Sequence, residues 1–531
     1  MHIGWMGANV VFQTIDRGLR WQVISPDLTR NVKAHQAPSG GPITHDVSGA
    51  EESDTILDIE GSRVHRGEIW VGTDDGLIQL TLDDGKHWQN VTPPGAPEYG
   101  RFASISPSPL RDGTAYAIND GHYTGDNHPY VFVTHDFGKH WTLITNGLPA
   151  SEWARSIGAD IRNPDLVYLG TEEGFWISYD QGATWQSFKN DLPTVSVHDI
   201  RMQQQFDDLV IATHGRSIYI LDDLTPIQQL QTAVKSGTYF FPVRVSYQYN
   251  QREDDEGTYT NYAASNPPNG TLIDYYLNAE QKTPPMLEIL DDAGRVVRVY
   301  KGTHEVGKKQ EPYVPNKAGI NRFVWDWTSE GPVKWYGAAK KSYQGPNGGP
   351  TVPPGRYMAR LTLGSKVYVQ HFVVKADPHT VYTQSEIVRS YELAKRGEAI
   401  FSRVDTMLDN LDTVKKAIDD GIAAAKKAND TATQSKLEAV DAARTTLFDE
   451  LTANYHNDED SIQMPGKLRE DAQTLQFFGG TVVTPALLDY LARVQAELAT
   501  ANGHYAAFVK TQVPALNQAL QAVKVKAVTI Q

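Results

Sequence analysis

Cysteine is absent from all 531 residues of the chain. Disulfide bonds, thiolate catalysis and cysteine-based zinc or iron–sulfur sites are therefore excluded. No run of 18 apolar residues occurs either, so no transmembrane helix and no membrane insertion are expected. The first residues, MHIGWMGANVVFQ, carry no basic segment followed by an apolar one. They do not fit a secretory signal peptide and resemble the interior of a repeat unit instead.

Positive charge is also scarce. Lysine and arginine number 49 against 64 aspartates and glutamates, which gives a formal net charge of −15. Nucleic acids and anionic membranes are bound by clustered lysine and arginine, so neither is an expected partner. No Walker A, Rossmann, G-x-S-x-G or H-E-x-x-H motif occurs in a fitting context. We therefore expect no cofactor and no resident metal.

One short motif occurs four times in the first 190 residues. Each copy reads Ser/Thr-x-Asp-x-Gly-x-x-Trp, and the aspartates are 67, 53 and 44 residues apart. The shortest spacing is near the length of a four-stranded propeller blade, about 40–50 residues. The copies are TIDRGLRW (14–21), TLDDGKHW (81–88), THDFGKHW (134–141) and SYDQGATW (178–185).

The chemistry of the motif favours a structural turn over a catalytic site. Glycine suits a turn position with positive φ, aspartate can accept hydrogen bonds from its own turn, and tryptophan can bury about 150–250 Å² on the next strand. A catalytic group would not be required at four equivalent places. The residues assigned this structural role are Asp16, Gly18, Trp21, Asp83, Gly85, Trp88, Asp136, Gly138, Trp141, Asp180, Gly182 and Trp185.

The motif resembles the Asp-box, or BNR, repeat of sialidases, xyloglucanase-type glycosidases and sortilin-type receptor domains, where it is a turn at the edge of a β-propeller blade. Longer stretches, WVGTDDGLIQLTLDDGKHWQNVTPP (70–94) and LVIATHGRSIYILDDLTPI (209–227), resemble bacterial sortilin-type or BNR-repeat proteins described as glycosyl hydrolase-like. The resemblance implies a β-propeller followed by a sandwich domain. It implies little about activity, because that family is mostly named by analogy.

The same resemblance implies that the chain corresponds to the C-terminal half of the family's usual chain. About five blade units are expected, and an open arc of five would expose sheet edges. Those edges could be covered by a separate polypeptide, by a second copy of the chain or by closure of the five units into a small ring. We expect a separate polypeptide that supplies the other half of the propeller. The expected units are 1–22, 55–93, 100–145, 153–190 and 197–222.

The predicted fold is multidomain and mainly β. Short strands bounded by the turns DDAG (291–294) and VPPG (352–355) indicate an Ig-like β-sandwich. Apolar residues at three- and four-residue steps from residue 383 onward indicate helices, one of which should begin at Thr484-Pro485. The predicted domains are a partial β-propeller (1–230), an irregular connecting segment (231–271), the sandwich (272–377) and a helical bundle (380–531).

Two segments outside these elements need a separate interpretation. The aromatic residues of 233–272 are expected to pack on the propeller, a plain linker being the alternative. The glycine-rich stretch 328–351 is expected to be a flexible surface loop, with contact to the propeller or a ligand as the alternative.

Candidate functional residues follow the second strand of several blade units. Asp75 and Glu173 are candidate catalytic carboxylates, since most glycosidases need a pair about 5–9.5 Å apart. His214 and Arg216 stand at the matching place of the last unit and are candidate binding residues. If equivalent turns converge, these groups would share one rim; otherwise they are polar turn residues.

A second candidate is the loop NDGHYTGDNHPY (119–130), which holds Asp120, His122, Asp126 and His128. Two histidines and two aspartates can bind a metal, but this spacing matches no strong metal pattern. A loop fixed by its own hydrogen bonds is the favoured interpretation. A sialidase site is disfavoured because no arginine motif is recognisable among Arg63, Arg101, Arg155, Arg201 and Arg216.

Two functional hypotheses remain, so enzymatic activity is left open. The first is a binding or scaffold propeller for a peptide, protein or glycan that is expected to be part of a larger assembly. The second is a xyloglucanase-like glycoside hydrolase that uses acidic rim residues, a sialidase-like enzyme being the less favoured form. A protein partner or second copy is expected to complete the propeller. Family resemblance implies a periplasmic, secreted or cell-surface location.

Overall fold

A computed structural model describes residues 3–38, 40, 43–44, 53–249, 266–302, 313–337, 348–452, 467–479 and 482–530. The chain divides into two units, Met1–Gly237 and Thr238–Gln531. The first unit is built from sheets, and the second combines sheets with a C-terminal helical region.

The described part of the first unit contains five antiparallel sheets, each formed by strands that are consecutive in the chain. The first is β1 (Gly4–Gly7), β2 (Val11–Thr14) and β3 (Gln22–Val23); the second is β4 (Ile56–Gly61), β5 (Ile69–Thr73), β6 (Ile78–Thr81) and β7 (Gln89–Asn90); the third is β8 (Arg101–Pro107), β9 (Ala115–Asp120), β10 (Tyr130–Thr134) and β11 (Thr142–Leu143); the fourth is β12 (Ala154–Ala159), β13 (Val167–Thr171), β14 (Phe175–Ser178) and β15 (Gln186–Ser187); the fifth is β16 (Val197–Gln203), β17 (Asp208–Thr213) and β18 (Ile218–Leu221). Two short helices end the unit, α1 (Thr225–Gln228) and α2 (Leu230–Ser236).

Neighbouring sheets pack through their first strands. Strand β8 contacts both β4 and β12, and β12 contacts β16. Glycine permits the close approach: a Cβ on Gly72 of β5 would collide with the Phe102 carbonyl oxygen of β8, and one on Gly170 of β13 would collide with the Val197 carbonyl oxygen of β16. Consecutive meanders that pack side by side on their first strands are the arrangement of propeller blades, so this unit is β-propeller-like.

The four repeated turns share one hydrogen-bond pattern. In the second copy, Asp83 Oδ1 accepts from the Thr81 hydroxyl at 2.9 Å and from the His87 amide at 2.9 Å, while Gly85 has a φ of +90°. The other three copies repeat these contacts at the same offsets. Each aspartate is thus engaged by residues two and four positions away in the sequence.

The tryptophans of three copies fasten one sheet to the preceding one. The indole N–H groups of Trp88, Trp141 and Trp185 donate to the carbonyl oxygens of Ile24, Val91 and Ile144, at 3.1, 2.7 and 2.7 Å. Each acceptor lies just after the last strand of the preceding sheet. Trp21 differs from the expected buried tryptophan, because 40% of it remains exposed.

The second unit begins with two sheets that face each other across one core. That core includes Ile273 and Trp325 from one sheet and Leu287 and Phe372 from the other. The first sheet is β19 (Thr238–Phe240), β21 (Thr271–Leu277) and β24 (Gly319–Trp325), and the second is β20 (Ser246–Gln248), β26 (Lys366–Ala376), β25 (Gly355–Leu363), β22 (Met286–Asp291) and β23 (Val296–Lys301). The arrangement is a two-layer sandwich, and its Ig-like assignment stays a prediction.

In the described residues after the sandwich, four helices share one apolar core. The N-cap predicted at Thr484 is confirmed, since its hydroxyl accepts the Leu487 amide at 3.2 Å and Pro485 occupies the first helical position. The helices are α3 (Gln384–Lys427), α4 (Thr431–Leu451), α5 (Leu468–Gln476) and α6 (Pro485–Ala522).

Two segments differ from the sequence-based expectation. Residues 238–240 and 246–248 are strands of the sandwich, and Phe240 lies in its core, because each strand continues an open sheet edge. The stretch 328–351 was expected to be a flexible surface loop. In its described part, Trp335 is 5% exposed and its amide and indole N–H groups donate to Asp405 and Asp412 of α3, at 2.8 and 2.6 Å.

Candidate functional site

A group of polar side chains gathers at one end of the sheets in the first unit. The pairing registers place the start of β8, β12 and β16 beside the end of β9, β13 and β17, respectively. Residues at these strand ends therefore meet, although the chain separates them widely. We call six of these side chains the rim cluster: Asp120, Arg155, Glu172, Ser196, His198 and His214.

Arg155 is the centre of the rim cluster. Its side chain is 14% exposed, and its Nη1 donates to Asp120 Oδ2 at 2.9 Å. Its Nε and Nη2 each lie 2.8 Å from Glu172 Oε2. The Ser196 hydroxyl donates to the same Glu172 oxygen at 2.8 Å. One guanidinium thus pairs with two carboxylates that come from different sheets, and the three groups together keep a formal charge of −1.

These contacts determine the ionisation of Glu172. Burial by itself would raise the pKa of the Glu172 carboxyl, but the hydrogen bonds from Ser196 and Arg155 lower this pKa below its ordinary value. Glu172 is therefore a carboxylate at neutral pH. A general acid needs the opposite, a pKa raised toward the working pH.

Aromatic and imidazole rings surround the ion pairs. His122 Nδ1 lies 2.5 Å from Asp120 Oδ1, and its ring stacks on Trp153 with centroids 4.9 Å apart. The guanidinium of Arg101 lies 3.5 Å from the ring centroid of Tyr123, which is 58% exposed. The result is a flat, partly aromatic surface beside the cluster.

Two histidines form the exposed side of the rim cluster. The rings of His198 and His214 lie 5.0 Å apart between centroids. Burial, together with the positive charges of Arg155 and His214, lowers the pKa of His198 below its ordinary value of 6.5. His198 therefore gains positive charge only below its ordinary pKa of 6.5.

A cavity of about 130 Å³ runs from His198 between the four first strands β4, β8, β12 and β16. Across it, Arg201 of β16 donates from Nη1 to Glu60 Oε1 of β4 at 2.7 Å. Asp58 lies two residues before Glu60 on the same face of β4, and its Oδ2 accepts the Ile105 amide at 2.6 Å. Burial, reinforced by the negative charge of Glu60, raises the pKa of Asp58 to about 7.

The four predicted rim residues have different surroundings. His214 belongs to the rim cluster, and Arg216 is exposed two residues further along. Asp75 is 1% exposed and accepts the Arg30 amide at 2.5 Å, and burial raises the pKa of its carboxyl. Glu173 is exposed and lines a separate pocket near Trp176. Asp75 and Glu173 therefore lie in different surroundings, and the catalytic role suggested for them stays a prediction.

The predicted histidine–aspartate loop divides between two settings. Asp120 and His122 face the rim cluster, as described above. Asp126 accepts from the His128 amide and ring at 3.1 and 2.7 Å and from the Tyr130 hydroxyl at 2.8 Å, so it fixes its own loop. The His128 side chain is the main cause of the lowered pKa of Asp126.

Three functional groups were missed by the sequence reasoning or named for another role. Arg155 and Arg201 were considered only as sugar-carboxylate ligands, yet both already bind carboxylates of this chain. Asp58 carried no motif. The available signal was the sequence ILDIEG (56–61), in which Asp58 and Glu60 alternate with apolar residues. Within the described residues, no helix is long and apolar enough to span a membrane.

Comparison with known proteins finds similar solved structures but no matching sequence family. No protein-family model matches the chain, and no curated protein matches its sequence. Similar solved structures include an ancestral GH74 enzyme, with 14% identity over 68% of this chain and 50% of that one and a TM-score of 0.30. The GH74 xyloglucanase from Xanthomonas campestris is 12% identical over 69% of this chain and 56% of that one, with a TM-score of 0.31. YCF48 bound to D1 peptide is 16% identical over 41% of this chain and 74% of that one, with a TM-score of 0.22. The chain spans about half the length of the GH74 structures it matches.

Proposed function

We propose that the first unit is a non-catalytic Asp-box β-propeller that binds an acidic segment of a peptide or protein at the rim cluster. The observation that carries this proposal is that the largely buried Arg155 engages both Asp120 and Glu172. With both carboxylates engaged, the exposed groups beside them are His198, His214 and the neighbouring Arg216. Arg216 is a cation and the imidazoles can donate hydrogen bonds, and both kinds of group pair with carboxylates.

The chemistry of the rim predicts a pH dependence. An anionic ligand gains from the protonation of His198, and the lowered pKa of His198 places this protonation below pH 6.5. Binding should therefore strengthen as the pH falls below 6.5. The exposed aromatic ring of Tyr123 would add apolar contact area beside the charged groups.

The test uses two fluorescent peptides, an acidic hexaglutamate and its glutamine counterpart. Wild-type protein should bind the acidic peptide more tightly, and the double replacement of His214 by Asn and Arg216 by Ser should weaken that binding about tenfold or more. The control is His140→Asn, which replaces an exposed histidine in an Asp-box turn. Equal binding of the two peptides, or no effect of the rim variant, would contradict the proposal.

A glycoside hydrolase is the second candidate, and Asp58 is the observation that favours it. A carboxyl with a pKa of about 7 is a suitable general acid, and Glu60 supplies a second carboxylate two residues along the same strand. The cavity argues against it, because about 130 Å³ is small beside ligand pockets of about 300–1,000 Å³. Release of reducing sugar from xyloglucan that is abolished by Asp58→Asn would support the enzyme.

We also propose that another polypeptide, either a partner or a second copy, covers the last sheet. Strand β18 lies at the edge of its sheet, and Ile218 and Ile220 are 61% and 62% exposed on one side. Exposed apolar edge strands are pairing sites. Native mass of the untagged protein distinguishes a second copy from a different chain, and a monomer would refute the assembly. A location outside the cytoplasm, suggested by the family resemblance, is testable by cell fractionation.

A further inference from the structure

Three hairpins at the far end of the sheets from the rim cluster have equivalent geometry. They join the first and second strands of the second, third and fourth sheets. In each, the residue after the first strand pairs its amide with a carbonyl just before the second strand: Ser62 with Glu68, Ser108 with Thr114, and Asp160 with Leu166. Register therefore places Glu68, Thr114 and Leu166 at equivalent positions.

Charge pairs link these hairpins from one sheet to the next. Arg111 Nη2 lies 2.7 Å from Asp165 Oδ1, and Arg162 Nε lies 3.3 Å from Asp207 Oδ2. At the earlier interface, the equivalent of Arg111 is His65, whose Nδ1 lies 3.2 Å from Asp112 Oδ1. The interface between the second and third sheets therefore has an imidazole where the two later interfaces have an arginine.

Glu68 adds a second carboxylate at the same interface. It is 3% exposed, although the equivalent positions hold a threonine and a leucine. The Trp70 indole donates to Glu68 Oε1 at 2.6 Å, while Oε2 is buried without a hydrogen-bond partner. Burial raises the pKa of Glu68, opposed by Trp70, the nearby Ser62 hydroxyl and His65. Burial of a carboxylate oxygen without a hydrogen-bond partner is unfavourable, so buried charges are usually paired or coordinate a metal.

We propose that His65, Glu68 and Asp112 bind a divalent transition cation of the Zn²⁺ type. One ligand atom from each of the three residues lies within 4.8 Å of the others. The two carboxylates carry a formal charge of −2, which a divalent cation neutralises with the imidazole as a neutral ligand. The cation would join the hairpin of the second sheet, which carries His65 and Glu68, to that of the third, which carries Asp112.

The ligand types select the cation. Imidazole with carboxylates suits Zn²⁺, which takes four ligands and leaves one position here for water. Ca²⁺ takes six to eight oxygen ligands, more than this site offers. Local contacts hold the ligands ready: Trp70 orients the Glu68 carboxylate, and the Ser62 hydroxyl oxygen accepts the Val64 and His65 amides at 3.3 and 3.1 Å. Such supporting contacts raise metal affinity.

The test is calorimetric titration of full-length, chelator-treated protein with ZnCl2, alongside Glu68→Gln and Asp112→Asn variants. Other histidines of the chain can take up Zn²⁺, so the difference between variants is the measured quantity. Wild type should bind one equivalent that each variant loses or binds at least about tenfold more weakly, since even removal of a supporting contact costs about 10–100-fold. Zn²⁺ should also raise the melting temperature of wild type and not that of either variant.

The matched control is Asp165→Asn, which removes the carboxylate at the equivalent Arg111 interface. It should keep the Zn²⁺ equivalent and its thermal stabilisation. If Glu68→Gln fails to fold, Asp112→Asn decides, because Asp112 is exposed and its replacement leaves the core intact. Zn²⁺ binding that is unchanged in Asp112→Asn, or a wild type that binds no equivalent, would overturn the proposal. CaCl2 binding with loss in the same variants would overturn the assignment of the cation.

Discussion

Replacement of Asp58 by asparagine should stabilise the protein at alkaline pH. The pKa of Asp58 is raised from its ordinary 3.8 to about 7, first by burial and then by the negative charge of Glu60. A carboxyl with a raised pKa favours the folded state most when it is protonated, so its contribution is full below pH 3.8 and is lost as the pH rises through 7. Asparagine is neutral throughout and keeps an oxygen for the Ile105 amide.

The magnitude follows from the pKa shift. The whole shift corresponds to about 4 kcal/mol, since each pKa unit is 1.36 kcal/mol. Asp58 keeps some exposure to the cavity, and solvent there stabilises the carboxylate, so we expect about half of this value. The free energy of unfolding of Asp58→Asn should equal that of wild type near pH 4 and exceed it by about 2 kcal/mol at pH 8.

Urea unfolding followed by tryptophan fluorescence measures the difference. Eight of the eleven tryptophans lie in the first unit, so the fluorescence reports mainly on the unit that contains Asp58. Asp199→Asn is the control, because Asp199 lines the same cavity with a half-exposed side chain that solvent screens. A pH-independent difference, or a less stable Asp58→Asn at pH 8, would refute the reasoning.

Three further replacements test the packing. Gly182→Ala should destabilise the first unit by more than Gly215→Ala does. Both glycines have φ near +88°, so the backbone strain of an alanine costs about 1–2 kcal/mol at either position, but only at Gly182 would the added Cβ collide with another side chain. Differential scanning calorimetry of the two variants measures the difference. Arg469→Met should cost about 3–5 kcal/mol, because it leaves Asp405, which is 0% exposed, without its cation, and adding Asp405→Leu should recover much of the loss in thermal unfolding. Thr484→Ala removes a helix N-cap and should lower the free energy of unfolding by about 1 kcal/mol in the same thermal measurement. An unchanged melting temperature would contradict this prediction.

Local features were predictable because their determinants are close together in the chain. The Asp-box turn depends on a hydroxyl two residues before the aspartate and an amide four residues after it, and both are visible in the motif. The cap at Thr484 and its proline are adjacent residues. The strands of the sandwich follow from alternation and turn residues. The edge strands 238–240 and 246–248 were not recognised, since their pairing depends on partners far along the chain.

The candidate site was only partly predictable, because its chemistry comes from pairing between sheets. His214 was identified from equivalent turns, and Asp120 and His122 from the histidine- and aspartate-rich loop 119–130. The role of Arg155 required knowing that Asp120 and Glu172, 35 and 17 residues away, meet at one guanidinium. The ion pair of Arg201 with Glu60 joins residues 141 positions apart.

The sequence by itself determined the repeat, its turns, the helical end of the chain and the exclusion of cysteine chemistry, because each depends on composition or on contacts within a few residues. Only the tertiary structure decided which charges are neutralised and which remain available. Burial removes water from Asp58 and Glu68, and packing of the first strands brings Arg155 and Arg201 to their carboxylates. The ionisation and ligand chemistry of a side chain depend on these neighbours, and the chain order does not encode them locally.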